Sequence, residues 1–337
     1  MSSCLTVRAG QDRSLRALYE ASYRPLRHLG KSKATIAETR CQLNVFDKFF
    51  AERLASQQAA SRPASIDDLS DELLADAMAW QIDRGRSVAT ANKLYRVLKS
   101  LWRFARKKRL LESLPELDPI PEEKREPRTW TLADYEAILT AADALVGYVG
   151  ELPAALWWRA LLLTVVNTGG RISAVMAIRL VDVDLARREI LLRAHNQKQR
   201  CDQRFELQPT VVVALRAIGA GDPHGDTREF LFPWPLDCGN EGRQWRSLRR
   251  HYRRLLDAAG LPSGRRNLFH NLRAFTATIL ADAKGEEFAR DYLGHSHASV
   301  TRRYLDRAQM KTKRSGVAHL PEPKLSPSLR IHAGDAG

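Results

Sequence analysis

Cysteine is scarce in this chain of 337 residues. The four present, Cys4, Cys41, Cys201 and Cys238, lie far apart, with no Cys-x-x-Cys pair and no histidine at a zinc-finger spacing. The pattern excludes a structural zinc finger and reads as free thiols in a reducing compartment. Long apolar runs are missing as well. No stretch of about 18 apolar residues is available to span a bilayer, and no apolar segment resembling a signal peptide opens the chain. A soluble, intracellular protein without a membrane partner is therefore expected. Negative charge is in the minority: 39 Asp and Glu stand against 54 Lys and Arg, a formal charge of +15. That imbalance favours a polyanionic partner, but RNA-binding, ribosomal and membrane-surface proteins share it. Internal repeats are also absent, and the length suffices for two domains, each with its own core.

A loose start of about 14 residues precedes a mainly helical region that runs to about residue 115. Thr35-x-x-Glu38 has the form of a capping box, and behind it Ile36, Leu43, Phe46, Phe50 and Leu54 share a helical face. After a Ser, Pro and Asp-containing break (61–70), a second helix passes through Leu73, Leu74, Ala77 and Trp80 and stops at Gly85. A third begins near Ser87 or Thr90. Leu94, Leu98, Leu101 and Ala105 form its apolar stripe, whereas Arg96, Lys99, Arg103 and Arg106 recur on another face. These four cations are candidate DNA-phosphate contacts, with a solvated surface as the alternative.

Four prolines and dense charge between 115 and 129 disfavour both helix and central strand, and mark a linker. Beyond it Thr131 and Asp134 fit a helix start, and an apolar helix from Leu156 to Val166 leads into Asn167-Thr-Gly-Gly170-Arg171. Residues 189–207 alternate short β-favouring segments around a polar turn, which suggests a hairpin with Lys198 near its tip. Helix returns after about 240, and the tail from about 313 has the composition of a weakly ordered segment.

Arg171, His270-Asn-Leu-Arg273, Leu293-Gly-His295 and Tyr304 follow in this order over about the last 170 residues. Two guanidiniums supply planar forks for the non-bridging oxygens of a phosphodiester, two imidazoles can donate hydrogen bonds or move protons, and a phenol can attack phosphorus. Such a set suffices for strand cleavage without a metal, and no cofactor is called for. Lys198 is the candidate general acid for the leaving 5′ oxygen, with Arg200 and Arg204 as competing cations. Two arginines beside Tyr304, at 302 and 303, are expected to favour the phenolate. Tyr292 is the rival nucleophile, although its place before a glycine turn fits packing better. A zinc site from His295, His297 and Cys201 lacks a fourth ligand at a recognisable spacing.

With this order of residues, and the step of nine from His295 to Tyr304, the chain resembles the tyrosine recombinases, also called phage integrases. The resemblance is strong from Asn167 to Asp306 and loose from about 15 to 115. It implies a mainly α fold with a small β-hairpin or sheet (α+β): a helical core-binding domain (15–115), a linker (116–129), a catalytic domain (130–312) and a flexible tail (313–337). It further implies a site-specific recombinase, cytoplasmic and nucleoid-associated, in which Tyr304 forms a 3′-phosphotyrosyl link with double-stranded DNA. Arg171, Lys198, His270, Arg273 and His295 would assist, with no ATP or metal needed. Four protomers would assemble on two sites, with the C-terminal segment docking on a neighbour.

The chain departs from the family pattern in two places. Ala174 stands where an acidic residue is usual three positions after the first arginine, and Ala274-Phe275 stands where a basic or polar residue and then Thr or Ser are common. Two other functions fit the same residues: a topoisomerase-like enzyme relaxing a single duplex, and a catalytically silent DNA-binding protein of the same fold, which Ala174 favours. Target sequence, and integration against excision, transposition or dimer resolution, are not legible.

Overall fold

Three serines start three long helices of the first unit. In the computed structural model, which describes residues 12–123, 126–197, 199–221, 228–234 and 241–310, these are α1 (Lys33–Ser56), α2 (Asp71–Asp83) and α3 (Val88–Lys107). Ser32 accepts from the N–H of Thr35, Ser70 from that of Leu73 and Ser87 from that of Thr90, satisfying donors that a helix start leaves open. The box expected at Thr35 and Glu38 does not form, because Ser32 already caps α1 and Thr35 lies within its first turn. The two hydroxyls meet at 3.0 Å instead. Ahead of α1, Leu15–Ala17 and Arg24–Arg27 are α-helical, with a π-helical stretch Leu18–Tyr23 between them.

Apolar periodicity sets the core of this unit: Leu43, Phe46 and Phe50 of α1 meet Leu74 and Ala77 of α2 and Leu94, Leu98 and Leu101 of α3. The chain divides into two compact units, Met1–Lys124 and Arg125–Gly337, a division that falls within the proline-rich stretch. Residues 111–123 have no regular secondary structure, yet they are tied to the first unit. Asn92 donates to the carbonyl of Ile120 at 2.8 Å and accepts from its N–H at 3.0 Å, and the Asp71 carboxylate accepts from the N–H groups of Glu116 and Leu117, each at 3.1 Å.

The second unit opens with α4 (Leu132–Asp143), capped reciprocally by Thr131 and Asp134. A ribbon of β1 (Tyr148–Val149) and β2 (Leu152–Pro153) leads into α5 (Ala154–Thr168), which ends at Gly169 in the left-handed conformation (φ 56°). After the single turn α6 (Ile172–Val175), an antiparallel sheet runs β3 (Val183–Asp184), β4 (Glu189–Leu192), β5 (Gln203–Glu206). In the expected hairpin Ile190 pairs with Phe205 and Leu192 with Gln203, so that Ile190, Leu192 and Phe205 face the core; β3 is an added strand that the sequence did not announce. Then come α7 (Pro209–Ala217), α8 (Glu241–Ala258), α9 (Phe269–Lys284), α10 (Glu286–Tyr292) and α11 (Ala298–Thr301). The protein is thus mainly helical with small antiparallel sheets.

Two packing features position the site. Trp158 of α5, Tyr252 of α8 and Phe269 at the start of α9 stack nearly parallel, with Tyr252 and Phe269 centroids 4.2 Å apart. Farther along, Ala274, Ala277 and Ala281 make a narrow stripe on α9 that admits Leu293, Tyr304 and Leu305 into a satellite core. Among the described residues no helix is long and apolar enough to cross a membrane, and Cys41 and Cys201 are free and exposed. The expected tail at 313–337, Cys4 and Cys238 lie outside the described residues.

Candidate active site

The aromatic stack fixes where α9 begins, and its first turn then carries His270 and Arg273 three residues apart. His270 is exposed, whereas Arg273 is 3% exposed. The Arg273 guanidinium donates from Nη1 to the carbonyl of Gly169 and from Nη2 to the carbonyl of Leu293 at 2.9 Å and to Nε2 of His295 at 2.7 Å. Its Nε is buried and has no partner among the described residues. Burial, and next the charge of Arg171, bring its pKa down to about 10, while Tyr304 works the other way. The group stays charged at neutral pH.

Both carbonyls come from glycine-bearing turns. At Gly169 a Cβ would collide with Leu293 and the φ is positive, so the turn that presents this carbonyl requires glycine. Gly294 (φ 64°) turns the chain from α10 towards His295.

His295 is buried, with Nδ1 2.9 Å from the hydroxyl of Thr301. Because a guanidinium can only donate, Nε2 must accept from Arg273, which puts the proton on Nδ1 and makes Thr301 its acceptor. The imidazole is therefore neutral. Burial foremost, then the charges of Arg273, Arg171 and His270, lower its pKa to about 4. Although part of its ring is open to solvent, His270 is shifted in the same direction, first by the partial desolvation of the ring and then by the charges of Arg273 and Arg171.

Tyr304 sits in the turn after α11, its N–H bonded to the carbonyl of Thr301 at 2.8 Å. The helical turn ahead of it ends at Thr301. The phenol ring is 9% exposed, stacked on His295 (centroids 5.1 Å apart) and tilted against His270 (4.7 Å), with the Arg273 guanidinium 5.7 Å from its centroid. The cation beside the phenol is thus Arg273. Arg302 turns away to Glu286 at 3.3 Å, and Arg303 is exposed, because the turn directs both outward from the alanine stripe. Tyr292 is a brace: its hydroxyl donates to the carbonyl of Asn167 at 2.5 Å and its ring packs on Phe205.

Arg171 is the residue preceding α6, and its Nη1 donates to Oε1 of Gln199 at 2.8 Å. Its charge reaches His270, Arg273 and His295 through their titration. Ala174 is buried in the core, so no carboxylate supports Arg171 from that position. At the other departure, Ala274 belongs to the stripe under Tyr304 and Phe275 packs on Tyr135, while Thr276 bonds the carbonyl of Val166 at 2.8 Å. Lys198 lies outside the described residues. Arg204 is exposed, 3.6 Å from Glu189. Among the described residues no group of three or more His, Cys, Asp or Glu side chains is placed to hold a metal ion.

The four cations of α3 differ from one another. Arg96 meets Glu122 at 3.2 Å, Lys99 donates to the hydroxyl of Tyr95 and to the carbonyl of Leu117, and Arg106 donates from Nε to the carbonyl of Glu112 at 3.0 Å. Arg103 instead lines a cleft with Tyr23, Arg27, His28 and Lys31.

Sequence reasoning passed over Gln199, Thr301 and Asp306. Gln199 lies one residue beyond the lysine it singled out, Thr301 within the tyrosine segment, and Asp306 two residues after Tyr304. Only the repeated glutamines at 197, 199 and 203 offered a signal.

A sequence model of the phage integrase family matches residues 129–311. The tyrosine recombinase XerD of Pseudomonas putida (strain KT2440) is 24% identical over 268 residues, spanning 76% of this chain and 84% of the relative. Among solved structures, a lambda integrase dimer bound to a COC′ core site aligns with a TM-score of 0.65 at 18% identity, covering 89% of this chain and 79% of that one. The Tn1549 transposon integrase in complex with a circular intermediate DNA gives 0.65 at 17%, covering 92% and 100%. A lambda integrase tetramer bound to a Holliday junction gives 0.61 at 17%, covering 88% and 79%. At such identities the structural likeness establishes a shared fold.

Proposed function

The chain belongs to the phage integrase family, the tyrosine recombinases, and from that premise we propose that it is a site-specific recombinase that breaks and rejoins DNA through Tyr304. The observation that carries the reading is the phenol ring packed against both His270 and His295 beside a buried, charged Arg273.

In this reading a scissile phosphate enters beside Tyr304, and its non-bridging oxygens pair with Arg171 and Arg273, whose charges oppose the negative charge that builds up in the transition state. Arg273 is held in place by two carbonyls, so that little rearrangement accompanies the chemistry. The phenol oxygen attacks phosphorus in line, the bond to the 5′ oxygen breaks, and a 3′-phosphotyrosyl link forms. The phenolic proton passes to a neutral imidazole. His295 has both ring nitrogens engaged by Thr301 and Arg273, which leaves His270 as the acceptor. Lys198 supplies the proton to the leaving 5′ oxygen. The link keeps the energy of the broken bond, so attack by a 5′ hydroxyl reverses the step without ATP, and no step is routed through a metal. Four copies on two duplex sites would exchange strands.

The test is incubation of the protein and Tyr304→Phe with DNA flanking its own gene, with and without divalent metal, followed by a search for SDS-resistant, protease-sensitive protein–DNA adducts. Adducts from the wild type alone, independent of metal, are expected. DNA binding by both proteins with no adduct from either would sink the reading in favour of a silent DNA-binding protein.

A further inference from the structure

We propose that Gln199 is a positioning residue: it holds the Arg171 guanidinium at the phosphate site, and with Gln197 and Gln203 it docks the turn between β4 and β5 on the Leu293-Gly294 turn. The proposal deepens the recombinase reading and rests on it for the word phosphate, though not for the docking.

The orientation of all three amides follows from donor and acceptor logic. Gln197 donates from Nε2 to the carbonyls of Leu192 and Cys201, at 2.8 and 2.9 Å, which turns its Oε1 towards Gln199. Gln199 donates from Nε2 to Oε1 of Gln197 and of Gln203, both at 2.9 Å. Its own Oε1 is then free to face only an obligate donor, and that donor is Arg171 at 2.8 Å. Flipping the Gln199 amide would set donor against donor at Arg171 and acceptor against acceptor at its neighbours. The lattice is therefore self-consistent in one arrangement.

The same lattice touches the turn that carries His295. Nε2 of Gln199 lies 3.5 Å from the carbonyl of Leu293, and Nε2 of Gln203 lies 3.5 Å from that of Tyr292. A Cβ at residue 294 would sit 2.5 Å from Nε2 of Gln199 and 2.7 Å from Nε2 of Gln203 and would push both amides aside, and the positive φ there favours glycine as well.

A neutral partner suits the task. Ala174 provides no carboxylate for Arg171, and a carboxylate at 199 would bind the guanidinium as an ion pair in competition with an incoming phosphate. An amide oxygen orients Arg171 but yields to a phosphate, because a bond between two charged groups is the stronger. Gln199 thus sets the guanidinium before substrate arrives and can release it on arrival.

Two measurements decide the matter. Hydrogen–deuterium exchange on the full chain is expected to show faster exchange of residues 199–204 and 291–297 in Gln199→Ala, the same increase in Arg171→Ala, and no further increase in the double variant. Unchanged exchange in both single variants overturns the docking whether or not the protein cleaves DNA. On a DNA fragment that yields wild-type adducts, Gln199→Ala and Gln199→Glu should form them about 10- to 100-fold more slowly at unchanged DNA affinity, with Gln199→Ala costing nothing further in an Arg171→Ala background. A full additional loss in that background overturns the positioning role. Absence of wild-type adducts would count against the recombinase reading, and the exchange pattern would still decide the docking.

Discussion

Neutral His295 makes the site acid-sensitive. Its pKa of about 4 in the fold lies below the ordinary histidine value of 6.5. Between these values the unfolded chain binds the additional proton, so stability conferred by the neutral ring is complete above about pH 6.5 and is lost as pH falls towards 4. His270 is shifted in the same direction and adds to the effect. The stability lost through His295 by pH 5 is on the order of 2 kcal/mol. Melting curves should move to lower temperature between pH 7 and pH 5, and His295→Gln, which keeps an acceptor for Arg273, should flatten that dependence. An unaltered slope in the variant would mean that another group carries it. At Arg273, lysine cannot serve the two carbonyls and the imidazole as a fork does. Arg273→Lys is expected to cost about 1–3 kcal/mol of stability and to slow adduct formation about 10²- to 10³-fold; adducts at the wild-type rate would remove Arg273 from the phosphate. Residues such as these stand out in a sequence because their chemistry is intrinsic to the side chain. Gln199 and Thr301 do not, since a neutral polar residue acquires a role only from the partner that the fold sets against it.

Among the elements, the turn bearing Tyr304 shows why some of the structure was not legible. A four-residue helix followed by a turn with bonds three residues apart keeps the residue spacing of a longer helix, so the sequence around Tyr304 does not disclose that the helix ends at Thr301. What holds the turn is Asp306, 4% exposed. One carboxylate oxygen accepts from the N–H of Thr129 at 3.0 Å and from Gln309 at 2.8 Å, and the other accepts from the N–H of Ala308 at 3.2 Å. The hydroxyl of Thr278 on α9 accepts from the Asp306 N–H at 3.1 Å and donates to the Tyr304 carbonyl at 3.3 Å. Three donors converge on two oxygens, so an amide fits in neither orientation. Asp306→Asn is expected to lower stability by about 1–3 kcal/mol in urea unfolding, and to speed hydrogen exchange in residues 302–310. A wild-type midpoint would show that the carboxylate is dispensable. The capping of α4 by Thr131 and the pairing of β4 with β5 were, by contrast, written in local chemistry: a hydroxyl and a carboxylate three residues apart, and apolar residues alternating around a polar turn.

For the whole molecule, the charge balance was readable from composition, because it depends on residue type and not on contacts. The use of that charge was not. Periodicity treats Arg96, Lys99, Arg103 and Arg106 as equivalent, since it sees only α3. The structure lays residues 111–122 along this helix and gives Arg96, Lys99 and Arg106 partners there, whereas Arg103 joins Arg27 and Lys31 at a cleft. If the first unit holds DNA phosphates, each cation that neutralises one phosphate displaces a counterion and steepens the dependence of affinity on salt. Arg103→Ala should therefore lower the slope of log affinity against log salt by about 1 on any duplex. Arg106→Ala should leave that slope nearly unchanged and instead loosen the 111–122 segment, seen as faster hydrogen exchange there. Equal loss of slope in the two variants would mean that Arg106 leaves the Glu112 carbonyl when DNA binds, and that the segment after α3 rearranges on the duplex.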